Sequence, residues 1–110
     1  HLPMQGETPR QALSATRDFI NHAHIGNCVI GDPGRPDYGD LRPYFGHPEG
    51  ENNVPQVREF LRCLLDIGYL RPDAPERNIV AFEVQPLGGQ RSRAVIADAK
   101  RVLREAWRTL

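Results

Sequence analysis

Hydrophobic positions along the chain repeat with two different periods, and the change from one to the other marks the elements. Ala12, Leu13, Phe19 and Ile20, with Thr16 between them, fall on one face of a helix, while Arg10, Arg17 and Asp18 fall on the other. Thr8 is a favourable N-cap, Pro9 suits the first helical position and Gln11 completes a capping box, so the spacing predicts a helix from Pro9 to about Ile20. The period then shortens to two. His22 and His24 point one way and Ala23 and Ile25 the other, as in a short strand of a parallel sheet.

Residues 26–53 carry six of the ten glycines and four of the ten prolines, which leaves no room for a long helix or a central strand. A loop of that length in a small domain is functional or disordered, and Tyr38, Tyr44 and Phe45 among the charges of this one predict an ordered lid or wall. A second helix begins after Asn53, with Gln56 at the capping-box position. Its apolar residues Val57, Phe60, Leu61, Leu64 and Leu65 repeat at helical spacing, and it stops at Gly68. Residues 78–84 form a buried-type apolar run with one charge, Glu83, near its exit. A last helix from Ser92 to about Thr109 places Val95, Ile96, Ala99, Val102, Leu103, Ala106 and Trp107 on one face, and Arg101 and Glu105 as an i,i+4 pair. Helices alternating with parallel-type strands predict an α/β architecture with two strands and three helices in a single unit, residues 1–110.

Charge narrows the function classes. Lys and Arg number 14, as do Asp and Glu, so the basic footprint of most nucleic-acid binders is missing and nothing suggests attachment to a membrane. Cys28 and Cys63 make no disulfide framework, which suits a reducing cytoplasm, with one bridge between them as the alternative, and Cys63 is expected to be an ordinary semi-buried thiol. The chain opens on His1 without an apolar leader, which reads as an excised or processed end.

His24 and Glu83 lie at the carboxyl ends of consecutive strands, where the loops of (β/α) barrels carry their chemistry. Imidazole and carboxylate are standard ligands for a divalent metal, so the pair is the candidate metal site, with His22, one pleat deeper, in a supporting role. His1 is a further candidate to line the site. His47, between a glycine and a proline, is expected in solvent.

The runs His22-Ala23-His24-Ile25-Gly26-Asn27-Cys28, Tyr38-Gly39-Asp40, Phe45-Gly46, Gly50-Glu51-Asn52, Phe60-Leu61, Ile67-Gly68-Tyr69, Phe82-Glu83-Val84 and Ala99-Lys100-Arg101-Val102-Leu103, in that order, resemble the carboxyl-terminal part of the sugar phosphate isomerase/epimerase family. The resemblance spans essentially all 110 residues. It implies the last βα units of a xylose isomerase-like (β/α)8 TIM barrel, with 26–53 as its active-site loop. It also implies His24 as a metal ligand and Glu83 as both ligand and acid/base group. His1, His22 and Asp40 would stand near the substrate, a sugar or sugar phosphate. The metal would be Mn2+ first, with Zn2+, Mg2+ or Co2+ as alternatives. Two further carboxylate ligands of the family would lie upstream of His1.

Where relatives that bind additional metals carry an Asp-x-His or Asp-x-Asp pair, this chain reads Asp40-Leu41-Arg42, and arginine cannot ligate a cation. That counts against a DNA-repair endonuclease of the same superfamily. The resemblance therefore implies a catalytically incomplete part of a metal-dependent isomerase or epimerase that moves a proton through an enediolate. Its expected partner is a second copy or the upstream part of the barrel. The reading from another class is a non-catalytic α/β binding module.

Overall fold

The computed structural model describes residues 1–110. In chain order it contains α1 (Pro9–Thr16), β1 (Ala23–Gly26), α2 (Val54–Asp66), β2 (Val80–Glu83) and α3 (Ser92–Arg108), with short 3-10 turns at Pro3–Gln5 and Pro75–Arg77. The two strands pair in parallel with Ala23 opposite Val80 and Gly26 opposite Glu83, and α2 lies in the connection between them. This is the α/β organisation expected from the alternation of periods.

Local chemistry accounts for most boundaries. At the start of α1, Gln11 N–H donates to Thr8 Oγ1 while Thr8 N–H donates to Gln11 Oε1, at 3.3 and 3.1 Å, closing the capping box. In α2 the Gln56 carbonyl oxygen accepts from Asn53 N–H, whereas the Asn53 side chain turns to the Gly50 carbonyl. Gly68, at φ 80°, takes the left-handed position beyond α2, so Tyr69 N–H reaches the Leu64 carbonyl and Gly68 N–H the Leu65 carbonyl, a Schellman closure. Any residue with a Cβ would be strained there.

The pleat sorts the sheet into two faces. Ala23, Ile25, Val80 and Phe82 meet the helices, while His24, Ala81 and Glu83 occupy the opposite face. Ile25, Phe45, Val57, Leu61, Ala99, Val102 and Ala106 make one core between β1, α2 and α3; Leu13, Ala23, Cys63, Leu64 and Tyr69 make a second under α1. Each fully buried Leu or Phe among them contributes roughly 1.5–3 kcal/mol. Phe45, contributed by the long loop, is fully buried and stands edge-to-face on Phe82 at 5.7 Å.

Three expectations are corrected. Helix α1 ends at Thr16 rather than near Ile20: Phe19 N–H turns back to the Thr16 carbonyl so that Ile20 can enter the second core just before β1, and Phe19 is left 85% exposed. On α3 the buried stripe is Val95, Ala99, Val102 and Ala106, while Ile96 and Trp107 remain half-exposed because the core shared with Ile25, Phe45 and α2 covers one side of this helix. Cys63 is buried outright, at 2% exposure. No helix is long and apolar enough to cross a membrane.

Candidate metal-binding site

Strand β1 delivers His24 and strand β2 delivers Glu83 to the same face; Glu83 is at the carboxyl end as expected, whereas His24 is not, because β1 continues to Gly26 and His24 pairs with Ala81, two residues before Glu83. His24 Nδ1 lies 3.5 Å from Glu83 Oε1, and Arg42 Nη1 lies 3.4 Å from the same oxygen. From Arg42 the polar chain continues: Nη2 is 3.7 Å from Asp40 Oδ2, which is 2.8 Å from His1 Nε2. On the other side, His22 Nε2 is 2.8 Å from His24 Nε2. All five site residues expected from the sequence, His1, His22, His24, Asp40 and Glu83, thus belong to one connected network. Arg42 is its hinge.

The backbone explains how Arg42 arrives there. It adopts φ 54°, uncommon outside glycine, and its carbonyl accepts the N–H of Gln85 at 2.8 Å, so the loop is fastened to the exit of β2 beside Glu83. The two ends of the loop are fastened to each other by Asn27, which is 1% exposed. Its Oδ1 accepts from Cys28 N–H and Asn52 N–H, and its Nδ2 donates to the Tyr44 carbonyl. Asn52 in turn donates to the Gly26 carbonyl, and Glu51 N–H to that of Cys28. Gly50 permits this closure, because a Cβ there would stand 2.3 Å from Asn27 Nδ2.

Asn27 and Arg42 are the residues that sequence reading missed as parts of the site. Asn27 carried a signal, a polar residue directly after a buried strand. In the sequence Arg42 stands only where a ligand is lost, and no one-dimensional pattern pairs it with Glu83.

Beside His24 a cavity of about 290 Å³ opens between the N-terminal turn, β1 and the start of α2. Its polar lining includes His1, His24, Glu51, Asn52, Gln56 and Glu59. Of its two carboxylates, Glu59 is paired with Arg10 and Arg62, at 3.5 and 3.8 Å, and Glu51 stands beside His24 and Asn52. For a divalent ion bonded at about 2.1 Å, two tetrahedral ligands stand about 3.4 Å apart, so the 3.5 Å between His24 Nδ1 and Glu83 Oε1 spans such an ion. No three His, Cys, Asp or Glu side chains gather around one point. The pair fits two positions of a coordination sphere.

His47 is not in solvent as expected. Its side chain is 16% exposed, its Nε2 is 3.4 Å from Asp37 Oδ2, its Nδ1 accepts from Glu49 N–H, and its ring stands edge-to-face on Tyr44. Arg35 grips Asp37 through two bonds of 2.8 and 2.7 Å and also reaches Glu49, and this guanidinium holds the Asp37 carboxyl down to about 2. The charges draw the loop onto itself and carry His47 inward. Burial raises both thiols, Cys28 and Cys63, so neither is a ready nucleophile.

Comparison with known proteins finds no matching family model, no matching curated protein and no matching solved structure.

Proposed function

We propose that the chain supplies the last two βα units of a metal-dependent sugar or sugar phosphate isomerase/epimerase of the xylose isomerase-like barrel type. The observation that carries the reading is the placement of His24 on β1 and Glu83 at the carboxyl end of the adjacent parallel β2, on one face of the sheet and 3.5 Å apart, with His24 lining a polar cavity. The motif resemblance points the same way.

In this reading His24 and Glu83 hold a divalent ion, Mn2+ first, with Zn2+, Mg2+ or Co2+ as alternatives. When bound, the ion polarises the carbonyl and hydroxyl oxygens of the sugar and acidifies the neighbouring C–H. Glu83 takes or returns that proton as one of a pair of carboxylates. His1 and Asp40, joined at 2.8 Å, present hydrogen-bonding groups to the sugar hydroxyls, and His22 holds the His24 ring. Asn27 and Asn52 keep the loop closed so that Glu51 faces the cavity. The second carboxylate of the pair is expected from other strands, as are the remaining ligands, supplied by a second copy or by the upstream part of a barrel. The cellular setting of the reading is cytoplasmic.

Titration with Mn2+ followed by electron paramagnetic resonance tests it. The chain is expected to bind one ion weakly, and His24→Ala and Glu83→Ala to abolish binding. Deuterium wash-in from solvent into a panel of ketoses is expected to be negligible for the chain alone. Mn2+ uptake unaffected by both substitutions would remove the reading.

Arg42 favours a second reading, a non-catalytic α/β binding module. Its guanidinium 3.4 Å from Glu83 Oε1 already supplies a positive charge where the ion would sit. Under that reading His24→Ala leaves ligand binding unchanged.

A further inference from the structure

His22 and His24 present an arrangement that the His24–Glu83 cation does not use. Their Nε2 atoms are 2.8 Å apart, with ring centroids at 4.6 Å and planes at 80°. Both residues are exposed, and the residue paired with His24 across the sheet is Ala81, whose methyl group leaves the space above the rings open. The spacing distinguishes coordination geometries. With metal–nitrogen bonds of about 2.0 Å, ligands at a right angle stand about 2.8 Å apart and tetrahedral ones about 3.3 Å. The observed distance matches the right angle, the cis geometry of a square-planar or octahedral ion.

The other face of the His24 ring supports the same assignment. Glu83 Oε1 lies on the Nδ1 side, at 3.5 Å, and a carboxylate on that side favours the tautomer that carries its proton on Nδ1 and its lone pair on Nε2. Glu83 then orients the ligand rather than serving as one. Because β1 fixes the backbone of His24 and the pleat sets His22 on the same side, little ordering is needed to bring the two rings together.

We propose that His22 Nε2 and His24 Nε2 form a two-histidine chelate for a tetragonal transition-metal ion, Ni2+ or Cu2+, with solvent completing its coordination. A neutral imidazole has one free lone pair, so this ion and a cation held between His24 Nδ1 and Glu83 exclude each other. The chelate does not depend on the isomerase reading.

Calorimetric titration of the intact chain with Ni2+ at about pH 7.5, where unperturbed imidazoles are mostly neutral, tests the proposal. One ion is expected to bind. His22→Ala, His22→Gln and His24→Ala are expected to weaken binding at least about tenfold, and Glu83→Ala to weaken it without removing it. His1→Ala is expected to leave it unchanged, which separates this site from the terminal amine and imidazole of His1. With Cu2+, the paramagnetic resonance spectrum is expected to show coupling to two ring nitrogens, and His22→Ala to remove one. Absence of Ni2+ binding would mean that the two rings share a hydrogen bond only, and the proposal would be wrong. It would be equally wrong if the His22 variants bound Ni2+ as tightly as the parent chain, or if binding vanished with His1→Ala. Mn2+ separates the two readings: its loss in Glu83→Ala and persistence in His22→Ala would leave the isomerase reading standing whatever Ni2+ does.

Discussion

At the scale of single residues, two side chains control the site without belonging to the expected set. Arg42 is a fixed cation against Glu83 and Asp40, and its partners are partly exposed, so these pairs contribute little to stability while setting the local potential. Under the proposed metal-binding reading, replacing Arg42 with Ala is expected to raise Mn2+ affinity roughly tenfold at low salt, with the gain shrinking as salt is added. Paramagnetic titration at two ionic strengths measures this, and unchanged affinity would mean that Arg42 and the ion do not share Glu83. Asn27 acts through the backbone. Its removal strands the N–H groups of Cys28 and Asn52, each worth about 1–3 kcal/mol if left buried and unpaired. Asn27→Ala is therefore expected to destabilise the chain by about 2 kcal/mol or more in urea unfolding.

At the scale of elements, the loop over residues 27–53 behaves as a structured wall because its two ends are fastened and its middle is clasped by charge. Val29 and Gly39 pair as an antiparallel bridge, and Arg35 gathers Asp37 and Glu49 beside His47. Asp37, lowered to about 2 in the folded chain, ordinarily titrates at about 3.9 when unfolded. A depressed carboxylate contributes stability that is fully present above the unfolded value and lost as pH falls through the folded one. Thermal unfolding followed from neutral pH down to about pH 2 is expected to show this loss in the parent chain. Asp37→Asn is expected to be less stable at neutral pH and flatter over that acid range; identical acid profiles would show that the clasp does not hold the loop.

At the scale of the whole molecule, the sheet has two strands. Each strand pairs on one side only, so both outer edges offer free backbone groups, and the face bearing His24 and Glu83 has no helix packed on it. Phe19, Ile79 and Trp107 are 85%, 57% and 51% exposed, and such apolar surface beside free edges favours association. Sedimentation velocity is expected to show concentration-dependent oligomers, reduced by Ile79→Lys immediately before β2. A monomer at all concentrations with a sharp thermal transition would contradict the idea that further strands complete the sheet.

Periodicity and capping residues settled α2, the two strands and the start of α1, because those signals are local: Gln11 lies three residues from Thr8 and Gly68 directly ends its helix. The pleat of Ala23-His24-Ile25 and the carboxyl-terminal place of Glu83 were enough to nominate both residues. Where α1 stops could not be read locally, since Ile20 leaves the helix to fill a core built by α2 and β1. The inward turn of His47 depends on Arg35, Asp37 and Glu49 meeting around it. The joining of Arg42 to Glu83, across 41 positions of chain, depends on the backbone bond from Gln85 to Arg42. The sequence determined which groups the site could use. Tertiary structure decided which nitrogen of His24 faces Glu83 and which faces His22, because only the parallel register and the loop closure fix those distances.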